Sequence, residues 1–411
     1  MSGPTKPAGD YDPYSHAAMT DPQPFYAAMR REGGPHFLPQ YEAWALTRYD
    51  DVMRVSMLER ATDFTHGQTP GQLLLGEPVP DTFMTKNREA HRLWRGVLAP
   101  SYTPQAVAEE RTRLEQLARR LLAPLLPRGE MDFFADYANR LMVVNAGYNL
   151  GFPEEDAIWV RERIDDMMHR EPGQKGMSSK RNQEGAGDLF AYLGGFVARL
   201  RAEPGRALRH TRKLLEAEVD GQRLSDQELV GNLFSLLVTG SETTPMAAAG
   251  TIYYLAKHPE QKRAVLADVS LAEAAFRETL RFDQPTNMLA RRAEAAFEVA
   301  GRQVQPGQKL LMIYAAANRD ESRFERSDVF DLHRYVGPDA ITRDLSFGAG
   351  AHFCLGMHLA LLAGTIMVRE LLARIGDYQL VESECRRAYG EFLAGFTKVP
   401  IRFAPTEGVQ P

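Results

Sequence analysis

Apolar positions along the chain recur mostly at helical spacing. Residues 104–126, PQAVAEERTRLEQLARRLLAPLL, place their apolar side chains on one face and are rich in good helix formers, which predicts an amphipathic helix. A longer helix is expected over 225–258. It opens on Ser225-Asp226-Gln227-Glu228, a capping box in which the serine oxygen takes a free N–H while the glutamate reaches back, and Pro259 marks its stop. Such a helix is about 50 Å long, enough to cross a whole domain. A second box, Ser270-Leu271-Ala272-Glu273, predicts a shorter helix through Leu280, and residues 355–375, LGMHLALLAGTIMVRELLARI, have the apolar density of a buried helix.

Strand signals are fewer. FEVAGRQV at 297–304 and KLLMIYAA at 309–316 read as a pair joined by Gln305-Pro306-Gly307, and WALTRYDDV at 44–52 is another candidate. The polar, glycine-bearing run 171–187, EPGQKGMSSKRNQEGAG, reads as a mobile connection between helices, either an ordinary surface loop or a lid. No repeat of solenoid or propeller period is present. The expectation is a mainly α fold with a minor β-sheet region.

Composition narrows the class. The 411 residues are 44% hydrophobic and 25% charged, sufficient for a large core, and the net charge of −5 argues against a nucleic-acid partner. Two cysteines cannot make a disulfide framework. The N-terminal MSGPTKPAGDYDPYSHAAMTDPQPF has no apolar run for a signal peptide or membrane anchor, so a cytoplasmic protein is expected.

Candidate chemistry concentrates at 347–356, FGAGAHFCLG, where three glycines surround Cys354 and His352 lies two residues before it. Four readings compete. A phosphate cradle lacks the Lys-Ser/Thr of a P-loop. Zinc, held by His352, Cys354 and His358, lacks paired cysteines. A nucleophilic cysteine lacks an identifiable base. A buried structural thiol is the bland alternative. The buried helix that follows places Cys354 at a helix N-terminus, where unpaired N–H groups favour thiolate. The glycines let backbone pass close to something flat. Both suit a soft metal centre that brings its other ligands with it, namely haem iron.

At this point the chain resembles the cytochrome P450 monooxygenases. Phe347-Gly348-Ala349-Gly350-Ala351-His352-Phe353-Cys354-Leu355-Gly356 matches the family's haem signature F-G-x-G-x-H-x-C-x-G at every fixed position. Glu278-Thr279-Leu280-Arg281 matches its E-x-x-R helix, and Thr239-Gly240-Ser241-Glu242-Thr243-Thr244 matches the oxygen-activation segment of its long central helix. The resemblance implies a P450 fold: a triangular helical prism with haem b (iron protoporphyrin IX) between that helix and the helix after the cysteine. A single domain over 1–411 is expected, with 1–25 as an extended N-terminal segment and no reductase domain.

By resemblance, Cys354 is the axial iron ligand and Phe347, Gly348 and Gly356 shape its loop. Thr243 hydrogen-bonds dioxygen and Glu242 feeds protons through water. Glu278 and Arg281 are structural, bonding a later loop around Phe330-Asp331-Leu332-His333-Arg334. The haem propionates fall to His91 and Arg95, at i and i+4 of one helix face, to Arg291 with Arg292 as rival, and to His352. The flank Asn87-Arg88-Glu89-Ala90 departs from the usual D-P-P-E. Pro245 has no N–H for the carbonyl of Ser241, which predicts a kink or widened turn at 241–245. Substrate-pocket candidates are Phe83, Met84, Ser235, Val238, Thr239, Asn287, Met288, Leu289, Phe396 and Thr397.

The implied reaction inserts one oxygen atom of O2 into a C–H bond of a small lipophilic substrate, in a monomer. Electrons come from NAD(P)H indirectly, through an external iron–sulfur ferredoxin and its reductase, docking on the cysteine side with Arg88 and Arg92 as candidate contacts. The rival readings are a peroxygenase using hydrogen peroxide, whose members lack the acid–alcohol pair, and a haem-binding sensor or carrier without turnover.

Overall fold

The computed structural model describes residues 8–219 and 221–406. Residues 1–7 of the expected N-terminal segment fall outside that range. The part of it that is described is not extended. Ser15 Oγ accepts the Ala18 N–H at 3.2 Å and caps a short helix, His16–Thr20, and helix α1, Gln23–Glu32, follows at once. The cause is aromatic burial: Tyr11 packs edge-on against Tyr26 and beside Phe25.

A five-stranded sheet lies on this side. Its strands are β1 (His36–Leu38), β2 (Ala43–Leu46), β3 (Thr62–Asp63), β4 (Leu289–Ala293) and β5 (Lys309–Met312), in the order β1-β2-β5-β4-β3. Only the β2–β5 pairing is parallel. Two strand expectations change here. The run 44–52 yields strand only to Leu46, after which Tyr49–Ser56 is helix. Residues 297–304 do not pair with 309–316. They form their own hairpin, Phe297–Val299 with Arg302–Val304, about Ala300 and Gly301 at φ 45° and 74°. Positive φ at both central residues is what a two-residue hairpin turn demands.

Helices make up the rest. Those that position the site are α2 (Arg88–Leu98), α3 (Asn139–Leu150), α4 (Ala157–Met168), α5 (Lys180–Ala202), α6 (Asp226–Lys257), α7 (Ala272–Phe282) and α8 (Met357–Ile375). The helix expected over 104–126 divides into Pro104–Ala108 and Arg111–Leu122. The capping box of α6 forms as expected: Ser225 Oγ accepts the Glu228 N–H at 3.2 Å and Glu228 Oε2 accepts the Ser225 N–H at 2.8 Å. The second box does not form. Asp268 caps a 3-10 turn, Val269–Leu271, by accepting the Ser270 N–H, and α7 begins only at Ala272. The reading of 171–187 as a connection between helices holds only for 171–179. From Lys180 onward this stretch is the first two turns of α5, capped by Ser179 and Asn182, and its polar residues are a solvent face.

Helix α6 is the axis of the molecule, flanked by α3, α5, α7 and α8. The main core gathers its C-terminal half with α7, α8 and the segment 133–142. Helices α7 and α8 approach closely because Gly364 has no side chain: a Cβ there would sit 2.1 Å from the Phe276 ring. Among the described residues no helix is long and apolar enough to cross a membrane.

Candidate functional site

A cavity of about 300 Å³ lies between α6 and the loop that precedes α8. Cys354 lines it, two residues before Gly356, which precedes the first turn of α8. The loop is tied by the Cys354 N–H to the Phe347 carbonyl at 2.9 Å. Gly350, at φ 75°, is indispensable, since a Cβ there would lie 2.2 Å from the Ser56 carbonyl oxygen. The sulfur's open surface faces the cavity, not bulk solvent, so burial dominates and pushes the thiol up from its ordinary value. The N–H groups of Gly356 and Met357 and the charge of Arg95 pull the other way. The helix-terminus effect expected from the sequence is therefore present but outweighed. A coordinated metal ion is what would complete deprotonation.

Beside the thiol stands a crowded set of nitrogen donors. His91 on α2 stacks on His352 with ring centroids 3.8 Å apart. Burial, reinforced by Arg95, lowers His91 to about 4, and burial with His91, Arg291 and Arg95 beside it drives His352 down further, so both rings are neutral at pH 7. Arg95 donates to the Phe353 carbonyl at 2.6 Å. Arg291 on β4 donates through Nη1 to the carbonyl of Val55 at 3.1 Å, and its guanidinium lies 4.5 Å from the centre of the Phe64 ring. Its Nε and the Nε2 of His91 are buried and have no partner. Two guanidiniums and two orphaned donors around one cavity lack an anion. A flat cofactor bearing two carboxylates and a soft metal fits this donor set, with Cys354 beneath it. Of the two candidate arginines, Arg291 lines the cavity, while Arg292 reaches His66 at the surface.

Across the cavity, Glu242 and Thr243 lie on α6, where Thr239 and Ser241 each donate their hydroxyl to the carbonyl four residues earlier at 2.7 Å. The helix continues through Pro245 unbroken, so the loss there is one donor to the Ser241 carbonyl. Glu242 is buried and meets Arg161 of α4, which also binds Asp165. Burial raises the Glu242 carboxyl, Arg161 partly reverses this, and the two acids hold Arg161 firmly charged. Arg161 was missed in the sequence. It sits in RERIDD, which reads as ordinary surface pairing.

Glu278 and Arg281 form a fully buried pair on α7, with contacts of 2.7 and 2.8 Å. Arg281 also donates to the carbonyls of Asn318 and Ser327, and Glu278 accepts the Asp331 N–H at 2.8 Å. The expected loop partner is thus the observed one.

The substrate-side residues divide. Phe83, Met84, Val238, Thr239 and Leu289 line the cavity. Ser235, Asn287, Met288, Phe396 and Thr397 do not. Ser235 is buried within α6, and Met288 packs in the core with Tyr26 and Met29. Asn287 is spent on other bonds, accepting from Tyr26 and donating to the Glu391 carbonyl. Phe396 stacks on Tyr253 at 4.3 Å, and Thr397 points to the Arg386 carbonyl. The physical reason is that 396–398 pairs with Arg386–Arg387, so the turn between these strands, not the strand itself, projects inward. Phe392 and Leu393 on that turn line the cavity instead, with Met168 at the end of α4.

Thiol, donor set, acid–alcohol pair and apolar far wall together define a haem-thiolate oxygenase. Comparison with known proteins agrees. The family model for cytochrome P450 matches residues 186–375. A putative cytochrome P450 123 of Mycobacterium tuberculosis is 30% identical over 392 residues, covering 95% of this chain and 96% of that protein. The vitamin D(3) 25-hydroxylase of Pseudonocardia autotrophica is 30% identical over 411 residues, 96% of this chain and 97% of that one. The structure of cytochrome P450 CYP109Q5 from Chondromyces apiculatus superposes with a TM-score of 0.84 at 27% identity, covering 97% of this chain and 100% of that one. The chain belongs to the cytochrome P450 family and is a P450 monooxygenase, and the family implies haem iron as its cofactor.

Proposed function

We propose that this protein hydroxylates a small lipophilic substrate, with electrons supplied by an external ferredoxin and its reductase, in a single domain acting as a monomer. The observation that carries the reading is the convergence on one cavity of Cys354 from one side and of Glu242 and Thr243 from the other. Cys354 holds the haem iron, and His91, Arg95, Arg291 and His352 receive the propionates. The bound haem supplies the activation of dioxygen and its insertion into a C–H bond.

The chain's own residues do the rest. Thr243 lines the cavity and would orient dioxygen there through its hydroxyl. Glu242, raised by burial and lowered again by Arg161, would take up and release a proton beside it. Arg161 sets how tightly that proton is held. Phe83, Met84, Val238, Leu289, Phe392 and Leu393 exclude water and orient an apolar substrate. Two relatives support that class by name: the vitamin D(3) hydroxylase, and EryK, solved with erythromycin B and matching at a TM-score of 0.83 and 26% identity. Electron delivery belongs on the Cys354 side, where Arg92 is exposed; Arg88 there bonds the Arg60 carbonyl.

The test is spectral and then chemical. The reduced carbon-monoxide complex should show the red-shifted Soret band of thiolate-ligated haem. A panel of steroids, terpenes, aromatics and fatty acids should then shift the spin state for at least one class. Hydroxylated product with ferredoxin and reductase, and little with hydrogen peroxide alone, supports the reading. Product with peroxide alone, or none in any system, overturns it.

A further inference from the structure

A second group of metal-ligating side chains stands outside the cavity. Strands β3 and β4 run antiparallel with Asp63 opposite Arg292, and the Glu294 N–H bonds the Ala61 carbonyl at 2.7 Å. This pairing gathers Asp63, His66 and Glu294, each offering one ligand atom within 4.8 Å of the other two. None of the three lines the cavity. Successive side chains of a strand point to opposite faces. On β4 Arg291 therefore serves the cavity, while Arg292 faces this cluster.

Three observations point to a cation. Asp63 lies just under the surface and is only 7% exposed, yet no donor reaches its Oδ1. Its carboxylate faces that of Glu294, and two carboxylates held together repel unless a proton or a cation lies between them. His66 Nε2 is 3.9 Å from Glu294 Oε1. Two atoms bound to one ion at about 2.1 Å can be no more than about 4.2 Å apart, so one ion spans that gap without backbone movement. The side chains of His66 and Glu294 are partly exposed, which leaves room for entry and for water ligands.

Arg292 is the resident competitor. Its Nη1 lies 2.6 Å from His66 Nε2 and its Nε 3.9 Å from Glu294 Oε1. A guanidinium has only donors, so His66 Nε2 accepts here. Arg292 leaves Asp63 Oδ1 unserved.

We propose that Asp63, His66 and Glu294 form a binding site for a divalent transition-metal ion, typified by Zn2+, held by one imidazole nitrogen and two carboxylate oxygens, with Arg292 swinging out as the ion enters. The imidazole selects against Ca2+ and Mg2+, which prefer all-oxygen shells. The bound ion clips β3 to β4 on the face opposite Arg291.

The test is a calorimetric titration of chelator-treated, haem-loaded protein with Zn2+. One equivalent should bind stoichiometrically and raise the melting temperature. Glu294→Gln and Asp63→Asn should each weaken binding by about 10–100-fold, and Arg292→Gln should tighten it, all with an unchanged reduced carbon-monoxide spectrum. Glu294 is at the surface, so its variant stays informative if Asp63→Asn misfolds. Absence of a one-equivalent site in the wild type, or a site that Glu294→Gln leaves at full affinity, overturns the proposal.

Discussion

The two walls of the cavity are built by different kinds of contact. The wall that carries Cys354 is local and dense: a ten-residue loop, a glycine that only a bare backbone can satisfy, and a buried Glu278–Arg281 pair that fastens the 318–331 region by four further hydrogen bonds. The opposite wall comes from places far apart in the chain: Phe83 and Met84, the end of α4, the middle of α6, and the turn at 392–393. One wall is held by hydrogen bonds to backbone, the other by side-chain packing. The first should fail all at once when cut, and the second should change selectivity before it fails.

The sharpest way to break this contrast is at the thiol. Cys354→Ser should remove the red-shifted Soret band of the reduced carbon-monoxide complex and abolish hydroxylation, while circular dichroism stays that of the wild type. The loop's tie to the Phe347 carbonyl runs through the main-chain N–H of residue 354, which serine keeps. Retention of band and product would sever Cys354 from the chemistry.

Next in size is Arg281→Ala. Removing one partner of a fully buried pair leaves Glu278 only Arg334, 3.4 Å away, and the Asp331 N–H, and breaking such a pair costs about 3–5 kcal/mol. Denaturant unfolding of the haem-loaded protein should read that loss in its midpoint. A change under about 1 kcal/mol would show that the near wall is not held as described.

This difference between walls also explains what could be read in advance. The cysteine loop and the E-x-x-R pair are contiguous or one helical turn apart, so spacing alone places them. The capping box at Ser225 is equally local. The far wall was only half legible. Phe392 and Phe396 are both aromatic, in the same alternating stretch, and only the pairing of 396–398 with 386–387 decides which one enters the cavity. The polar start of α5 was mistaken for a loop because a solvent-facing helix and a loop share a composition. Ser270 failed as a cap because Asp268, two residues earlier, takes its N–H.

Those two phenylalanines sharpen the comparison at lower cost. Phe396 is 4% exposed and stacks on Tyr253, so Phe396→Ala should lose about 3–5 kcal/mol of stability and leave the substrate panel's ranking intact. Phe392→Ala should do the reverse, reordering spin-state responses across the panel with a smaller fall in stability. Identical effects would erase the distinction between core and cavity lining.

The most diagnostic variant for the far wall, with the smallest effect on the substrate panel, is Arg161→Leu. In the wild type, burial raises Glu242 and Arg161 lowers it. Removing the guanidinium removes the lowering cause, so the carboxyl moves further up. A carboxyl whose folded value is raised contributes stability that is fully present below its unfolded value of about 4.3 and is lost as pH rises through the folded value. Both proteins lose this contribution alike until the pH reaches the wild type's raised folded value; above it the wild type's loss is complete while the variant's continues, so the variant should melt progressively earlier than wild type only from that pH up to its own higher folded value. Glu242 would also stay protonated to higher pH, moving the alkaline limb of turnover upward. Adding Glu242→Gln should flatten the stability difference, because no carboxyl remains to titrate. A pH-independent difference that survives in the double variant would mean that Arg161 only packs against α6 and has no hold on the proton at Glu242.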